Sequence, residues 1–152
     1  MLNKIITQQQ CLLEKTAASK KAVFESLSNL IGTGLTHINA QNILQSLIER
    51  EKLGSTFMGH GVALPHARIK QINNAAAALI VLENPIDFGN GEEVTIVFGL
   101  VVPEDFEEVH LKLLAEIAGM LEKDNNRQAI QSTENQKHLW KTVIELCNHE
   151  NK

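Results

Sequence analysis

The chain has 152 residues, of which 43% are hydrophobic and 21% charged, and a net charge of -4; that suits one globular domain long enough to bury a core. Acidic and basic residues are mixed along it, without the basic footprint of a nucleic-acid binder, and no apolar run approaches the ~20 residues that a membrane-spanning helix needs. The first residues lack a secretory signal's apolar stretch, and Cys11 and Cys147 form neither a disulfide framework nor a Cys-x-x-Cys pair, so a reducing cytoplasm is the expected setting. A single bond joining the two ends is the alternative for those cysteines.

No internal repeat or Pro/Gly-rich linker divides the chain, so a single domain is expected over residues 1–152. A short strand is predicted around Gln10 to Glu14. Ser19 reads as the N-cap of a helix with Val23, Leu27, Leu30 and Ile31 at helical spacing, which Gly32 and Gly34 end. Asn39 reads as the N-cap of a second helix whose apolar face is Ile43, Leu44, Leu47 and Ile48. It closes in Glu49-Arg50-Glu51-Lys52. Gly54 to Gly61, with neither helical nor alternating period, reads as a shaped loop, and Val62 to Leu64 as a short extended piece ended by Pro65.

Ala75 to Leu82 and Val94 to Val102 are apolar runs of the length expected for strands buried on both faces. Asn84-Pro85 and Gly89-Asn90-Gly91 punctuate the connection between them, and Pro103 ends the second run. A third helix is predicted from about Phe106 to Leu121, with Leu111, Leu114, Ala118 and Leu121 on one stripe. A short helix near Arg127 and a last one from about Gln136 to Cys147 follow. This order predicts an α/β layered domain, a central mixed sheet flanked by helices.

Of the six histidines, His37, His138 and His149 sit in polar surroundings and read as surface residues. His66 follows a short extended piece, a proline and the glycine-rich loop, a rigid support of the kind that carries reactive groups. A neutral imidazole nitrogen is available there as a nucleophile; the plainer reading is a histidine that caps a strand. His110, after an acidic stretch, reads either as a core-edge residue or as a second imidazole for phosphoryl oxygens or the His66 ring. Arg50 reads either as a solvated helix end or as a fork that holds phosphate oxygens. His60 and His66 lack metal-ligand spacing, no nucleotide-binding glycine motif occurs, and Ser55 has no nucleophile elbow. No cofactor and no metal are therefore expected.

The ordered string Arg50-Glu51-Lys52-Leu53-Gly54-Ser55-Thr56, followed by Gly59-His60-Gly61-Val62-Ala63-Leu64-Pro65-His66, resembles the signature of enzyme IIA domains of the fructose/mannitol type, from the bacterial phosphoenolpyruvate-dependent phosphotransferase system. Ser19-Lys20-Lys21, Pro85-Ile86-Asp87-Phe88 and Val101-Val102-Pro103-Glu104 leading to His110-Leu111 are similar to its nitrogen-regulatory branch. Almost the whole chain is covered, so the resemblance implies a stand-alone IIA protein. It implies His66 as the phosphorylated nucleophile, with His110 and Arg50 beside it. It further implies a small histidine phosphocarrier protein as donor, and regulatory targets such as potassium-transport or sensor-kinase proteins.

Phe57-Met58 departs from the small and aliphatic pair usual in that loop, and Gly89-Asn90-Gly91 from a more usual Asp-rich turn. Two large apolar residues beside His66 are expected either to form a docking platform or to lie beneath the loop. A IIA component of sugar uptake and a binding module without chemistry are the competing functional readings. The three residues Arg50, His66 and His110 together argue against the second.

Overall fold

Polar side chains open the first two helices where the sequence placed them. In the computed structural model, which describes residues 2–14, 16–105 and 108–150, Ser19 Oγ accepts from the Ala22 N–H at 3.1 Å and starts α1 (Lys20–Gly32). Asn39 Oδ1 accepts from the Asn42 N–H at 2.9 Å and starts α2 (Ala40–Leu53). Each bond satisfies an N–H that a helix start leaves without an intrahelical partner. Val23, Leu27 and Ile31 of α1 and Ile43 and Leu47 of α2 then face inward, as their spacing requires.

The later helices are α3 (Glu108–Glu122), α4 (Asp124–Gln131) and α5 (Gln136–Glu150). The expected start of the third helix at Phe106 lies outside the described residues. Its buried face is Leu113, Ile117, Met120 and Leu121 rather than the stripe through Leu111, Leu114 and Ala118. Apolar residues surround much of this helix, so period alone does not choose between the two faces. Packing chooses, and it leaves Leu111 54% exposed.

Six strands form one mixed sheet among the described residues: β1 (Cys11–Glu14), β2 (Phe57–Gly59), β3 (Val62–Ala63), β4 (His66–Ile69), β5 (Ala76–Asp87) and β6 (Glu93–Pro103). The order is β1-β5-β6-β3-β2, with β4 also beside β6. β5 and β6 are antiparallel, β1 runs parallel to β5, and β3 and β4 run parallel to β6. Helices cover both faces, which is why β5 and β6 read as nearly continuous apolar runs. Leu79, Phe98 and Leu100 pack with Leu113, Ile117 and Val143 on one side. Ile80, Val97 and Val101 pack with Leu27, Ile43 and Leu47 on the other.

Two further expectations, on β5 and on the glycine-rich loop, need correction. β5 does not stop at Leu82; it continues through Asn84-Pro85 to Asp87, and its pairing with β6 slips between Val81 and Ile86. Pro85, which has no N–H to give a ladder, falls inside that slip. The glycine-rich loop contains β2, which pairs antiparallel with β3. Their turn puts Gly59, His60 and Gly61 in succession at φ of 90°, 54° and 77°. Glycine adopts such angles without a Cβ penalty, so the spacing of these glycines serves the hairpin.

Cys11 and Cys147 are reduced and buried, so the disulfide alternative does not hold. Burial pushes the Cys11 thiol up to about 12, which leaves almost no reactive thiolate at neutral pH. No helix of the described residues is long and apolar enough to cross a membrane.

At Gly99 of β6 the side chain of Leu27 occupies the space a Cβ would need, with its carbons 2.6–2.8 Å from that position. Gly99→Ala is expected to push α1 off the sheet and to cost roughly 1–3 kcal/mol. Chemical denaturation checks this, and unchanged stability would mean that α1 adjusts without strain.

Candidate functional site

β3 and β4 are two parts of one line along β6. Val62 and Ala63 pair with Ile96 and Val97, and His66 and Ala67 pair with Leu100 and Val101, in the same register. Leu64-Pro65 interrupts the line. Pro65 has no N–H, but its carbonyl still accepts from the Leu100 N–H at 3.0 Å. The Leu64 N–H donates instead to the Thr56 carbonyl at 3.0 Å. His66 therefore begins a strand. The expectation that it follows one stopped at Pro65 and missed β4.

The Leu64 carbonyl lies 2.8 Å from Nδ1 of the His66 ring. A carbonyl only accepts, so Nδ1 must carry the proton that is shared there. In the neutral ring this leaves the lone pair on Nε2. The half-buried ring is thus held in one tautomer by a backbone group two residues back.

His66 and Arg68 are two apart on a strand and share a face. Both line a pocket of about 520 Å³, together with Arg50 from the last turn of α2 and His110 from the first turn of α3. The structure thus brings the three sequence-predicted residues to one cavity and adds Arg68. Alternation along β4 is the signal that would have found Arg68, had the strand been predicted. Arg50 Nη1 donates to the Gly54 carbonyl at 2.8 Å, which fixes the guanidinium over the loop. His110 is half-buried, and His37, His60 and His149 are exposed. The Glu134 N–H approaches Nδ1 of His138 at 3.3 Å. Among the described residues no group of three or more His, Cys, Asp or Glu side chains is arranged to hold a metal ion.

The apolar surroundings differ from expectation. Phe57 and Met58 are successive residues of β2, so they point to opposite faces. Each is half-buried, Phe57 against the α1–α2 side and Met58 against the α3–α5 side. They do not form a joint platform. Leu53, 86% exposed, and Leu111 line the pocket instead.

A polar cluster lies beneath the loop. Glu51 accepts from the Thr56 N–H at 3.0 Å and from the Thr56 hydroxyl at 2.7 Å. Lys20 Nζ stands 3.1 Å from Glu51 Oε1, donates to the Phe88 carbonyl at 3.1 Å, and lies 4.1 Å from the centre of the Phe88 ring. Sequence reasoning placed Glu51 in a charged run and missed this role. It did single out Ser19-Lys20-Lys21 and Pro85 to Phe88, which Lys20 joins in space. Burial raises the Glu51 carboxyl, but the Thr56 and Lys20 partners outweigh it and hold the group below its ordinary value.

The family described as "Phosphoenolpyruvate-dependent sugar phosphotransferase system, EIIA 2" matches residues 4–146. The chain belongs to this family. It is 37% identical to a nitrogen regulatory protein of Pseudomonas aeruginosa over 97% of both chains. It is 32% identical to a nitrogen regulatory protein homolog of Haemophilus influenzae, over 85% of this chain and 81% of that one. Nitrogen regulatory protein IIA-Ntr from Neisseria meningitidis superposes with a TM-score of 0.84 at 29% identity, covering 92% of this chain and 97% of that one. IIA mannitol from Escherichia coli shares the fold, with a TM-score of 0.74 at 18% identity over 93% and 98% of the two chains. The chain is thus a component of the phosphotransferase system, on the nitrogen-regulatory side of the EIIA family.

A carboxyl with a lowered folded-state value adds stability that is present above its unfolded value and lost as pH falls through the folded one. The stability difference between the native protein and Glu51→Gln should therefore be full at neutral pH and shrink as pH falls below the ordinary 4.5. Urea denaturation at several pH values measures it. A difference that does not vary with pH would mean that the carboxylate charge contributes nothing.

Proposed function

We propose that the protein accepts a phosphoryl group on Nε2 of His66 from a small histidine phosphocarrier protein, and that its free and phosphorylated forms bind different regulatory targets. The observation that carries this reading is the bond from Nδ1 of His66 to the Leu64 carbonyl, which leaves Nε2 with the lone pair in a pocket shared with two arginines and His110.

The step balances without metal or nucleotide. The Nε2 lone pair forms the new N–P bond while the donor's N–P bond breaks and its electron pair returns to the donor ring. Nδ1 keeps its proton, so the His66 ring gains positive charge as the bond forms. The Leu64 carbonyl, already oriented at Nδ1–H, stabilises that charge without reorganising. Gly54 takes one Arg50 donor, and the guanidinium's other donors serve the phosphoryl oxygens. Arg68 and His110 line the same cavity, where Arg68 contributes positive potential and His110 a hydrogen bond. Transfer of this kind depends mainly on positioning and electrostatics.

Exposed Leu53 and Leu111 supply an apolar rim where a small carrier docks, in the role first expected of Phe57 and Met58. Phosphorylation places about two negative charges inside that rim. A target with an acidic face is repelled and one with an arginine-rich face attracted, which lets a potassium-transport or sensor-kinase protein distinguish the two forms. The nitrogen regulatory relatives favour this regulatory use over sugar uptake.

His66→Ala should abolish labelling when the protein is incubated with phosphoenolpyruvate, the first enzyme and the carrier, followed by mass spectrometry. An alanine variant that still acquires an acid-labile phosphate would assign the chemistry to another histidine. Changing Leu53 and Leu111 together to serine should raise the carrier KM roughly tenfold with kcat little changed. Wild-type kinetics in that variant would remove the rim from docking.

A further inference from the structure

One run of hydrogen bonds links Glu51 and Thr56 to both the Arg50 guanidinium and the His66 ring. Glu51 follows Arg50 directly at the end of α2, and its carboxylate binds both donors of Thr56, at 3.0 and 2.7 Å. That contact closes the segment from Arg50 to Thr56 on itself. Inside the closed segment lies Gly54, whose carbonyl receives Arg50 Nη1 at 2.8 Å. On the far side, the Thr56 carbonyl receives the Leu64 N–H at 3.0 Å, and the Leu64 carbonyl receives Nδ1–H of His66 at 2.8 Å. Thr56 and Leu64 are therefore the two residues between the Glu51 carboxylate and the histidine ring.

We infer that Glu51 and Thr56 are positioning residues for phosphoryl transfer: their clasp sets the direction of the Arg50 guanidinium and, through Leu64, the tautomer and orientation of His66. This rests on the reading that His66 is the phosphoryl acceptor. Neither residue lines the pocket, so neither touches the phosphoryl group. They act through Gly54 and Leu64. Several features suit the clasp to this task. Thr56 is buried, so water competes poorly for its hydroxyl. Charge-assisted hydrogen bonds are stronger than neutral ones, and bonds in series polarise one another. Lys20 also holds the carboxylate, at Oε1, and is itself seated on Phe88. The clasp is thereby tied to α1 and to the β5–β6 turn as well as to the loop. Small displacements matter here, since misplacing a reacting group by about 1 Å can cost roughly a hundredfold in rate.

The test compares Thr56→Val, which keeps the shape and loses the hydroxyl, with Thr56→Ser, which keeps the hydroxyl. Two signals are read: the kinetics of transfer from the carrier, and the ¹⁵N spectrum of the His66 ring at a pH where the ring is neutral. Thr56→Val should lower kcat roughly tenfold to a hundredfold with little change in carrier KM, because the docking rim is untouched. Its His66 ring should show both tautomers, where the native protein shows Nδ1–H alone. Thr56→Ser should restore both signals. A folded Thr56→Val protein with native kcat and a single Nδ1–H tautomer would overturn the inference. So would loss of activity through KM alone. If Thr56→Val does not fold, Glu51→Gln is read by the same two signals, with the same results expected and the same results contrary. Mass spectrometry of the labelled native protein is run in parallel. Phosphate on a residue other than His66 would defeat the acceptor reading, while the ring spectrum still decides whether the clasp sets the tautomer.

Discussion

Leu64 sits where backbone geometry becomes chemistry. Its neighbour Pro65 interrupts the ladder along β6, so the Leu64 peptide makes its bonds elsewhere: N–H to Thr56, carbonyl to the ring of His66. The first bond ties the strand to the glycine-rich loop. The second dictates which imidazole nitrogen has a lone pair. A side-chain carboxylate in the same position would also hold Nδ1–H, but it would bring a negative charge next to an incoming phosphoryl group. A backbone carbonyl orients the ring, and in the proposed transfer it would stabilise the ring's developing positive charge without that repulsion.

The rest of the architecture makes this local arrangement rigid and reachable. β6 runs through the sheet with helices packed on both sides, so the register that fixes His66 against Leu100 is set by burial of alternating residues on two faces. β2 pairs with β3, whereas His66 and Arg68 on β4 meet the ends of α2 and α3. Those helix ends deliver Arg50 and His110 from opposite sides. They also leave Leu53 and Leu111 exposed, apolar surface that a stable helix would ordinarily turn inward.

Much of this was legible in the sequence, and what was not has identifiable causes. Ser19 and Asn39 announced the first helices because capping is a local interaction. The apolar runs of β5 and β6 announced strands covered on both faces. β4 was missed because Pro65 signals an end, and only pairing with β6 shows that the strand resumes one residue later. Losing β4 also lost Arg68. The face of α3 was misassigned because its apolar residues extend past one stripe, and tertiary packing decides which are buried. Phe57 and Met58 were read as loop residues, so their alternation to opposite faces was invisible. The Glu51 clasp is long-range in its consequences: a charged run gives no sign that one carboxylate faces inward to Thr56 and Lys20. Arg50, His66 and His110 each stood out in the sequence with a plainer alternative beside the functional one, the resemblance assigned their roles, and spatial convergence is what the chain's own geometry adds.

The position of the phosphate on the imidazole is the most direct measurement of the account. In ¹⁵N-labelled protein phosphorylated by the carrier, phosphorus–nitrogen coupling and the ring's ¹⁵N shifts distinguish the two nitrogens. A single species is expected, phosphorylated on Nε2 of His66, with Nδ1 still protonated and hydrogen-bonded to Leu64. Phosphate on Nδ1 would require the Leu64 bond to break before transfer, and would contradict the claim that this bond selects the nucleophile.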